Sequence, residues 1–288
     1  MARFILSAFA DEIHESLDIQ IDNLKKHGIK YIEFRSLEGK NVCDHTIEEI
    51  KRIKTELDKN GIKVSAIGSP IGKIKITDDF APELKRFSHI IEIAKIMEAK
   101  YIRMFSFYIE EGQNPDDFRD EVIKRWQEYI RLAEGKGVIL LHENEKGIYG
   151  DTSERCLDLL KTLDCDYVKS VFDPANFVQC EATVYPEAFE ILAEYSVYFH
   201  IKDALAGDGR NVPAGMGDGK IGEILSALKS RGYEGFLSLE PHLGNFKGFA
   251  GLELDSQKLG EQEAGPETFD IAVSALKKLL EKIGCTVQ

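Results

Sequence analysis

The stretch VILLHE, residues 138–143, passes within six residues from an apolar run to a histidine and a carboxylate. Three later stretches repeat this change: VKSVFD at 168–173, SVYFH at 196–200 and FLSLE at 236–240. Each stretch ends in a potential metal ligand, namely Glu143, Asp173, His200 and Glu240. Their spacing of 27–40 residues suits one βα unit per interval. We therefore predict that they follow four successive parallel strands and meet at the carboxyl-terminal face of the sheet.

Apolar strand-like runs alternate with amphipathic stretches along the chain, which predicts a parallel sheet with helices outside. The strand candidates are 4–10, 31–35, 64–69, 101–107, 138–143, 168–173, 197–201 and 236–240. Eight strands in 288 residues predict a closed (β/α)8 TIM barrel, which typically needs about 250 residues. Because no low-complexity linker interrupts the pattern, residues 1–288 are expected to form a single domain.

Boundary signals support the helices. Thr46 and Glu49 have the spacing of a capping box. Four prolines lie near proposed helix starts: Pro82, Pro115, Pro186 and Pro266. Four glycines lie between a helix and the next strand: Gly28, Gly61, Gly137 and Gly232.

Composition narrows the function classes. The formal net charge of −13 disfavours nucleic-acid binding, since such a surface repels phosphate backbones. The apolar run at 4–10 is short for a signal peptide, and no run reaches membrane-span length. The five scattered cysteines contain no CxxC motif, which favours a reduced, cytoplasmic protein.

Each of the four strand-end residues also has a purely structural explanation. Glu143 could lie in an exposed loop, Asp173 could cap a turn, and His200 could be a satisfied core histidine. Four such coincidences at strand ends are a weaker explanation than one shared site. Two Glu, one Asp and one His around a point predict a divalent metal centre with open positions for substrate.

Other charged side chains occur near strand ends, where they can orient a sugar hydroxyl, a carboxylate or a phosphate. The substrate-binding candidates are Glu33, Arg35, Lys73, Arg103, Lys202 and His242. Alternation along the strand places Lys202 on the same side as His200. The competing interpretation is that these residues form ion pairs at the barrel rim. Two long glycine-rich loops, 203–219 and 241–265, are expected to form lids or substrate walls.

The chain resembles the xylose isomerase-like TIM-barrel superfamily, and in particular its sugar-phosphate isomerase/epimerase branch, over nearly its whole length. The most specific marks are HENEKGIYGDT at 142–152, FDPANF at 172–177, HIKDA at 200–204 followed by PAGMGDG, and SLEPH at 238–242. The resemblance implies that Glu143, Asp173, His200 and Glu240 bind one divalent ion: Mn²⁺, Mg²⁺, Co²⁺ or Zn²⁺.

Two departures from the family pattern affect the substrate. Ketose 3-epimerases of the superfamily often have a histidine three residues after the metal Asp and an arginine six residues after the metal His. Here these positions hold Asn176, which we include among the substrate-binding candidates, and Ala206. The multi-zinc abasic-site endonucleases of the same fold need further histidines, so a nuclease is disfavoured.

The resemblance predicts a metal-dependent isomerase or epimerase of a ketose, a sugar phosphate or a related keto-polyol. Glu143 and Glu240 would remove and return a proton next to a carbonyl, through a metal-stabilised enediolate. The alternatives are a lyase similar to inosose dehydratase, using the same metal, and a barrel that binds a sugar without turnover. The expected partner is a small sugar, and barrels of this class often form homodimers.

Overall fold

The computed structural model describes residues 2–245 and 263–285. Within these ranges eight parallel strands form one sheet, and its end strands β1 and β2 lie side by side in a nearly closed barrel. The strands are β1 (Arg3–Ala8), β2 (Tyr31–Phe34), β3 (Lys63–Ile67), β4 (Tyr101–Met104), β5 (Ile139–Glu143), β6 (Val168–Phe172), β7 (Ser196–Ile201) and β8 (Glu234–Leu239). The TIM-barrel prediction is confirmed.

Helices cover the outside of the barrel. They are α1 (Leu17–His27), α2 (Ile47–Lys59), α3 (Ala81–Met97), α4 (Arg119–Ala133), α5 (Ser153–Leu163), α6 (Pro174–Gln179), α7 (Phe189–Leu192), α8 (Ile221–Ser230) and α9 (Pro266–Lys282). Two short antiparallel strand pairs lie outside the barrel sheet. Ser36–Leu37 pairs with Lys40–Asn41, and Asp203–Ala204 pairs with Asn211–Val212. No helix among residues 2–245 and 263–285 is long and apolar enough to cross a membrane.

The boundary signals act as expected at several helices. At α2 the Thr46 hydroxyl accepts from Glu49 N at 3.2 Å, and Thr46 N donates to the Glu49 carboxylate at 2.8 Å. Gly28 ends α1 at φ +73°, a left-handed conformation that favours glycine. Pro82 lies in the first turn of α3, and α9 begins at Pro266.

Several strands end earlier than the apolar runs predict. The run 4–10 leaves the sheet after Ala8, and the run 101–107 leaves it after Met104. The extra residues stay buried because they contact the neighbouring loop: Phe105 N donates to Ile71 O at 2.8 Å and Phe107 N to Gly72 O at 3.0 Å. A buried loop residue can be as apolar as a strand residue, so the apolar runs in the sequence do not distinguish strand ends from buried loops.

The interior of the barrel is filled by side chains from several strands. Ala66, Leu141, Val171 and Tyr198 form a separate apolar cluster there, apart from the larger core between the sheet and the helices. Tyr198 Oη lies 2.9 Å from the Ser65 hydroxyl, which lies 2.6 Å from that of Ser7. This packed interior is the rigid base for the side chains at the strand ends.

Candidate metal centre

The four predicted ligands meet at the carboxyl-terminal ends of the strands. Glu143 ends β5, Asp173 follows β6, His200 lies in β7 and Glu240 follows β8. Each offers one oxygen or nitrogen, and these four atoms all lie within 4.8 Å of one another. All four residues are at most 2% exposed. The barrel therefore brings residues 143, 173, 200 and 240 to one buried point.

His200 is at the centre of the cluster. Its Nδ1 lies 3.0 Å from Glu143 Oε1, 3.2 Å from Glu240 Oε2 and 3.7 Å from Asp173 Oδ2. Asp173 Oδ2 and Glu240 Oε2 accept no hydrogen bond from the described residues, although Lys202 Nζ is 3.1 and 3.6 Å away. A buried carboxylate oxygen that accepts no hydrogen bond is suited to bind a cation. Three carboxylates and one imidazole together are a typical ligand set for a divalent metal ion.

Two arginines hold the two glutamates in a nearly symmetrical arrangement. Arg103 Nη1 donates to Glu143 Oε2 at 2.8 Å, and Arg35 Nη1 donates to Glu240 Oε1 at 2.7 Å. The Phe9 ring lies between them, 4.3 Å from the Arg35 guanidinium carbon and 5.3 Å from that of Arg103. Each glutamate thus keeps one oxygen on an arginine and turns the other toward the cluster.

The surrounding charges keep both glutamates ionised. Burial opposes ionisation of Glu143, but His200 and Arg103 outweigh it and lower the pKa of Glu143 to about 2. Burial also opposes ionisation of Glu240, yet Lys202 and His200 hold the pKa of Glu240 well below its usual range. Two carboxylates that are deprotonated at neutral pH can each accept a proton.

Asp173 combines two roles in the structure. Its Oδ1 accepts from Asn176 N at 2.9 Å and so caps α6. Asn144 fixes its backbone, because the Asn144 side chain accepts from Asp173 N and donates to Asp173 O, both at 2.9 Å. With one oxygen used as the cap, the other oxygen, Oδ2, faces the cluster. The capping and ligand explanations of Asp173 are therefore compatible.

The substrate-binding candidates surround this centre at different depths. Asn176 Nδ2 lies 3.3 Å from Glu143 Oε1, and Lys202 lies on the same side of β7 as His200, as alternation predicts. His242 N donates to Glu12 Oε2 at 2.8 Å, and His242 Nε2 lies 3.5 Å from Glu240 Oε1. Lys73 Nζ pairs with Glu145 Oε2 at 3.0 Å.

Glu33 lies behind His200, on the side away from the other carboxylates. Its oxygens are 3.4 and 3.3 Å from His200 Nε2. Burial alone would lower the pKa of His200, but Glu143, Glu33 and Glu240 outweigh it and raise that pKa well above the usual value. Both ring nitrogens of this histidine therefore face carboxylates.

A cavity of about 390 Å³ lies beside Glu12, and none of the four proposed ligands lines it. Asp11, Glu12, Ser36, Asn245 and Glu263 are among the residues that line it. Ligand pockets typically span about 300–1,000 Å³, so this cavity is large enough for a small polyol. Glu12 joins the cavity to the centre, because its carboxylate, His242 and Glu240 place atoms within 4.8 Å of one another.

The loop 203–219 is held against the barrel by one buried carboxylate. Asp203 Oδ2 accepts from Gly215 N at 2.8 Å and Gly217 N at 3.0 Å, while Oδ1 accepts from Gly219 N at 2.8 Å. A β-carbon on Gly217 would lie 2.4 Å from Asp203 Oδ1, so the loop needs glycine there. Of the loop 241–265, residues 246–262 lie outside the described residues.

Replacing Asp203 by Asn is expected to destabilise the protein by about 2–3 kcal/mol, because hydrogen bonds to a charged group contribute roughly 1.5–3 kcal/mol each. The amide keeps one acceptor oxygen and turns an N–H₂ group toward backbone N–H donors. Urea unfolding measures the change. The matched control is Asp218→Asn, since Asp218 accepts a single exposed bond from Ala206 N. An equally small loss of unfolding free energy in both variants would contradict the role given to Asp203 in holding the loop.

Sequence reasoning missed Phe9 and Asn144, which shape the centre, and Glu145, which pairs with Lys73. Phe9 is apolar and adjoins β1, so nothing in the sequence separates it from the core. Asn144 and Glu145 directly follow the proposed ligand Glu143, and this position in the sequence could have indicated that they support the site. A polar residue next to a proposed ligand at a strand end is a candidate for supporting it.

A family model described as the xylose isomerase-like TIM barrel matches residues 21–262 of the chain. Among curated proteins, the uncharacterized protein MJ1311 of Methanocaldococcus jannaschii is 25% identical over 164 residues. That alignment covers 52% of this chain and 53% of the relative, so the chain spans about half the length of this relative.

Solved structures show the same fold at low identity. An IOLI protein with a bound zinc atom has a TM-score of 0.74 at 18% identity, covering 99% of this chain and 100% of the other. D-psicose 3-epimerase with D-tagatose from Clostridium cellulolyticum H10 has a TM-score of 0.76 at 16% identity, covering 99% and 100%. At these identities the likeness establishes the fold.

Proposed function

Because the chain belongs to the xylose isomerase-like TIM-barrel family, we propose that it is a divalent-metal-dependent isomerase or epimerase. The substrate would be a ketose, a sugar phosphate or a related keto-polyol. The observation that carries the proposal is the cluster of residues 143, 173, 200 and 240. Its four buried donor atoms lie within 4.8 Å of one another, and two of its carboxylate oxygens accept no hydrogen bond from the described residues.

Glu143, Asp173, His200 and Glu240 would hold the ion, and a mixed oxygen and nitrogen set is compatible with Mn²⁺, Mg²⁺, Co²⁺ or Zn²⁺. The bound ion would act as a Lewis acid toward a substrate carbonyl and its neighbouring hydroxyl.

The two glutamates are the proposed acid–base pair. They extend from β5 and β8, which are not adjacent in the sheet, so they approach a substrate from different sides. One carboxylate removes the proton next to the carbonyl, giving an enediolate. The other glutamate first takes a proton from solvent and then returns that proton to the enediolate. Return to the opposite face of the same carbon gives an epimer, and return to the neighbouring carbon gives an isomer.

Other side chains orient the substrate in this proposal. Lys202 and Asn176 lie beside the ligands and can donate to hydroxyl oxygens of a bound sugar. Burial lowers the pKa of His242 to about 4, so this imidazole is neutral and can donate or accept. The cavity beside Glu12 would accept the part of the substrate away from the carbonyl.

A product screen tests this function. The metal-loaded protein is incubated with ketopentoses, ketohexoses, their phosphates and a cyclic keto-polyol, and the products are separated by chromatography. An epimer or aldose supports the proposal. New enone absorbance with loss of water would replace it with a lyase. Tight binding of a sugar without any conversion would replace it with a non-catalytic binding barrel.

A further inference from the structure

Glu33 is a buried carboxylate that lies outside the set of four. It is 1% exposed, and its Oε2 accepts no hydrogen bond from the part of the chain that the structure describes. A buried carboxylate with poorly satisfied oxygens destabilises a fold. Its position inside the barrel therefore requires an explanation beyond packing.

The pairing of β2 with β3 is irregular beside Glu33. Ile32 of β2 pairs with Val64 of β3, but Glu33 pairs with Ala66, so Ser65 is an extra residue on β3. The Ser65 hydroxyl donates to Ile32 O at 3.1 Å, which satisfies a carbonyl at this irregularity. Beside this irregularity the Glu33 carboxylate ends 3.3 Å from His200 Nε2.

Aromatic rings fix the plane of the His200 imidazole. Phe9 meets it edge to face with ring centres 5.1 Å apart, and Tyr198 does so at 6.0 Å. In this orientation Nδ1 faces the carboxylates of Glu143 and Glu240, while Nε2 faces Glu33. The two ring nitrogens therefore have different partners in a restrained ring.

We propose that Glu33 is a positioning residue that selects the tautomer of His200. It accepts the Nε2 proton, which leaves the Nδ1 lone pair directed at the metal ion. The inference rests on the metal centre of the proposed function. It gives Glu33 a role other than the substrate contact expected from the sequence. Carboxylate partners of this type orient a ligating histidine and raise its basicity.

The first test uses the wild-type protein, so it does not depend on a variant that folds. Zinc-loaded protein carrying ¹⁵N-labelled histidine is studied by long-range ¹H–¹⁵N NMR, with His200 assigned through its contacts with Phe9. The expected spectrum shows zinc on Nδ1 and the proton on Nε2. Zinc on Nε2 with a protonated Nδ1 would overturn the proposal.

The second test compares zinc affinity between variants by calorimetry. Glu33→Leu is expected to weaken binding roughly 10–100-fold, as loss of an outer partner of a ligand does. The matched control Ser196→Ala also removes a buried polar group, at the opposite end of β7 from His200, and is expected to leave the affinity unchanged. Equal affinity in wild type and Glu33→Leu would overturn the role of Glu33 alone. A wild type that binds no divalent ion would overturn the proposed function as well.

Discussion

Glu143→Gln and Glu240→Gln are each expected to lower turnover by roughly 10²–10⁴-fold, the usual contribution of a positioned general acid or base. Gln keeps the size of the side chain and an oxygen for Arg103 or Arg35, but it does not accept the substrate proton. Turnover is measured at saturating metal, with bound metal determined in each variant. This separates loss of proton transfer from loss of the ion.

The matched control for these variants is Glu234→Gln. Glu234 begins β8 at the exposed amino-terminal end, whereas Glu240 follows the same strand at the site. The control is expected to retain full activity. Nearly full turnover in both Glu143→Gln and Glu240→Gln, with metal bound, would contradict the two-base assignment.

Asp173→Asn is expected to weaken divalent-metal binding by more than the roughly 10–100-fold caused by losing an outer-shell partner. The fold should be preserved, because the Asn side chain can still accept from Asn176 N and cap α6 as Asp173 Oδ1 does. Calorimetric titration with Mn²⁺ measures the affinity, and thermal unfolding without metal measures the stability.

A second substitution at the same position separates the two roles of Asp173. Asp173→Ala removes the cap as well as the ligand, so it should add about 0.5–2 kcal/mol of destabilisation to the loss of metal binding. The Asp173→Asn and Asp173→Ala variants should therefore have similar metal affinities but different free energies of unfolding. Wild-type metal affinity in Asp173→Asn would mean that this carboxylate is not a ligand.

Much of the fold could be predicted because parallel strands buried on both faces appear as continuous apolar runs. The topology then placed residues 143, 173, 200 and 240 together without any knowledge of their contacts. The strand ends were less predictable, since Phe105 and Phe107 stay buried after leaving the sheet. The burial of a residue does not distinguish a residue of the sheet from a residue of a buried loop.

The pairing of charges within the site could not be predicted. Glu33 and Arg35 are two positions apart in sequence, yet Arg35 pairs with Asp11, Glu12 and Glu240, while Glu33 meets His200. These partners come from other strand ends of the barrel. Their choice depends on side-chain directions, which the residue pattern does not reveal.

The central claim is that proton transfer next to a carbonyl takes place between Glu143 and Glu240. It is tested most directly by running the metal-loaded protein in D₂O with the ketose that it converts and locating deuterium in the product by NMR. The glutamate that returns the proton has taken it from solvent, so in D₂O it should return a deuteron, and each product molecule should carry deuterium at the carbon that receives it. A product that retains only the hydrogen of the substrate would contradict the account.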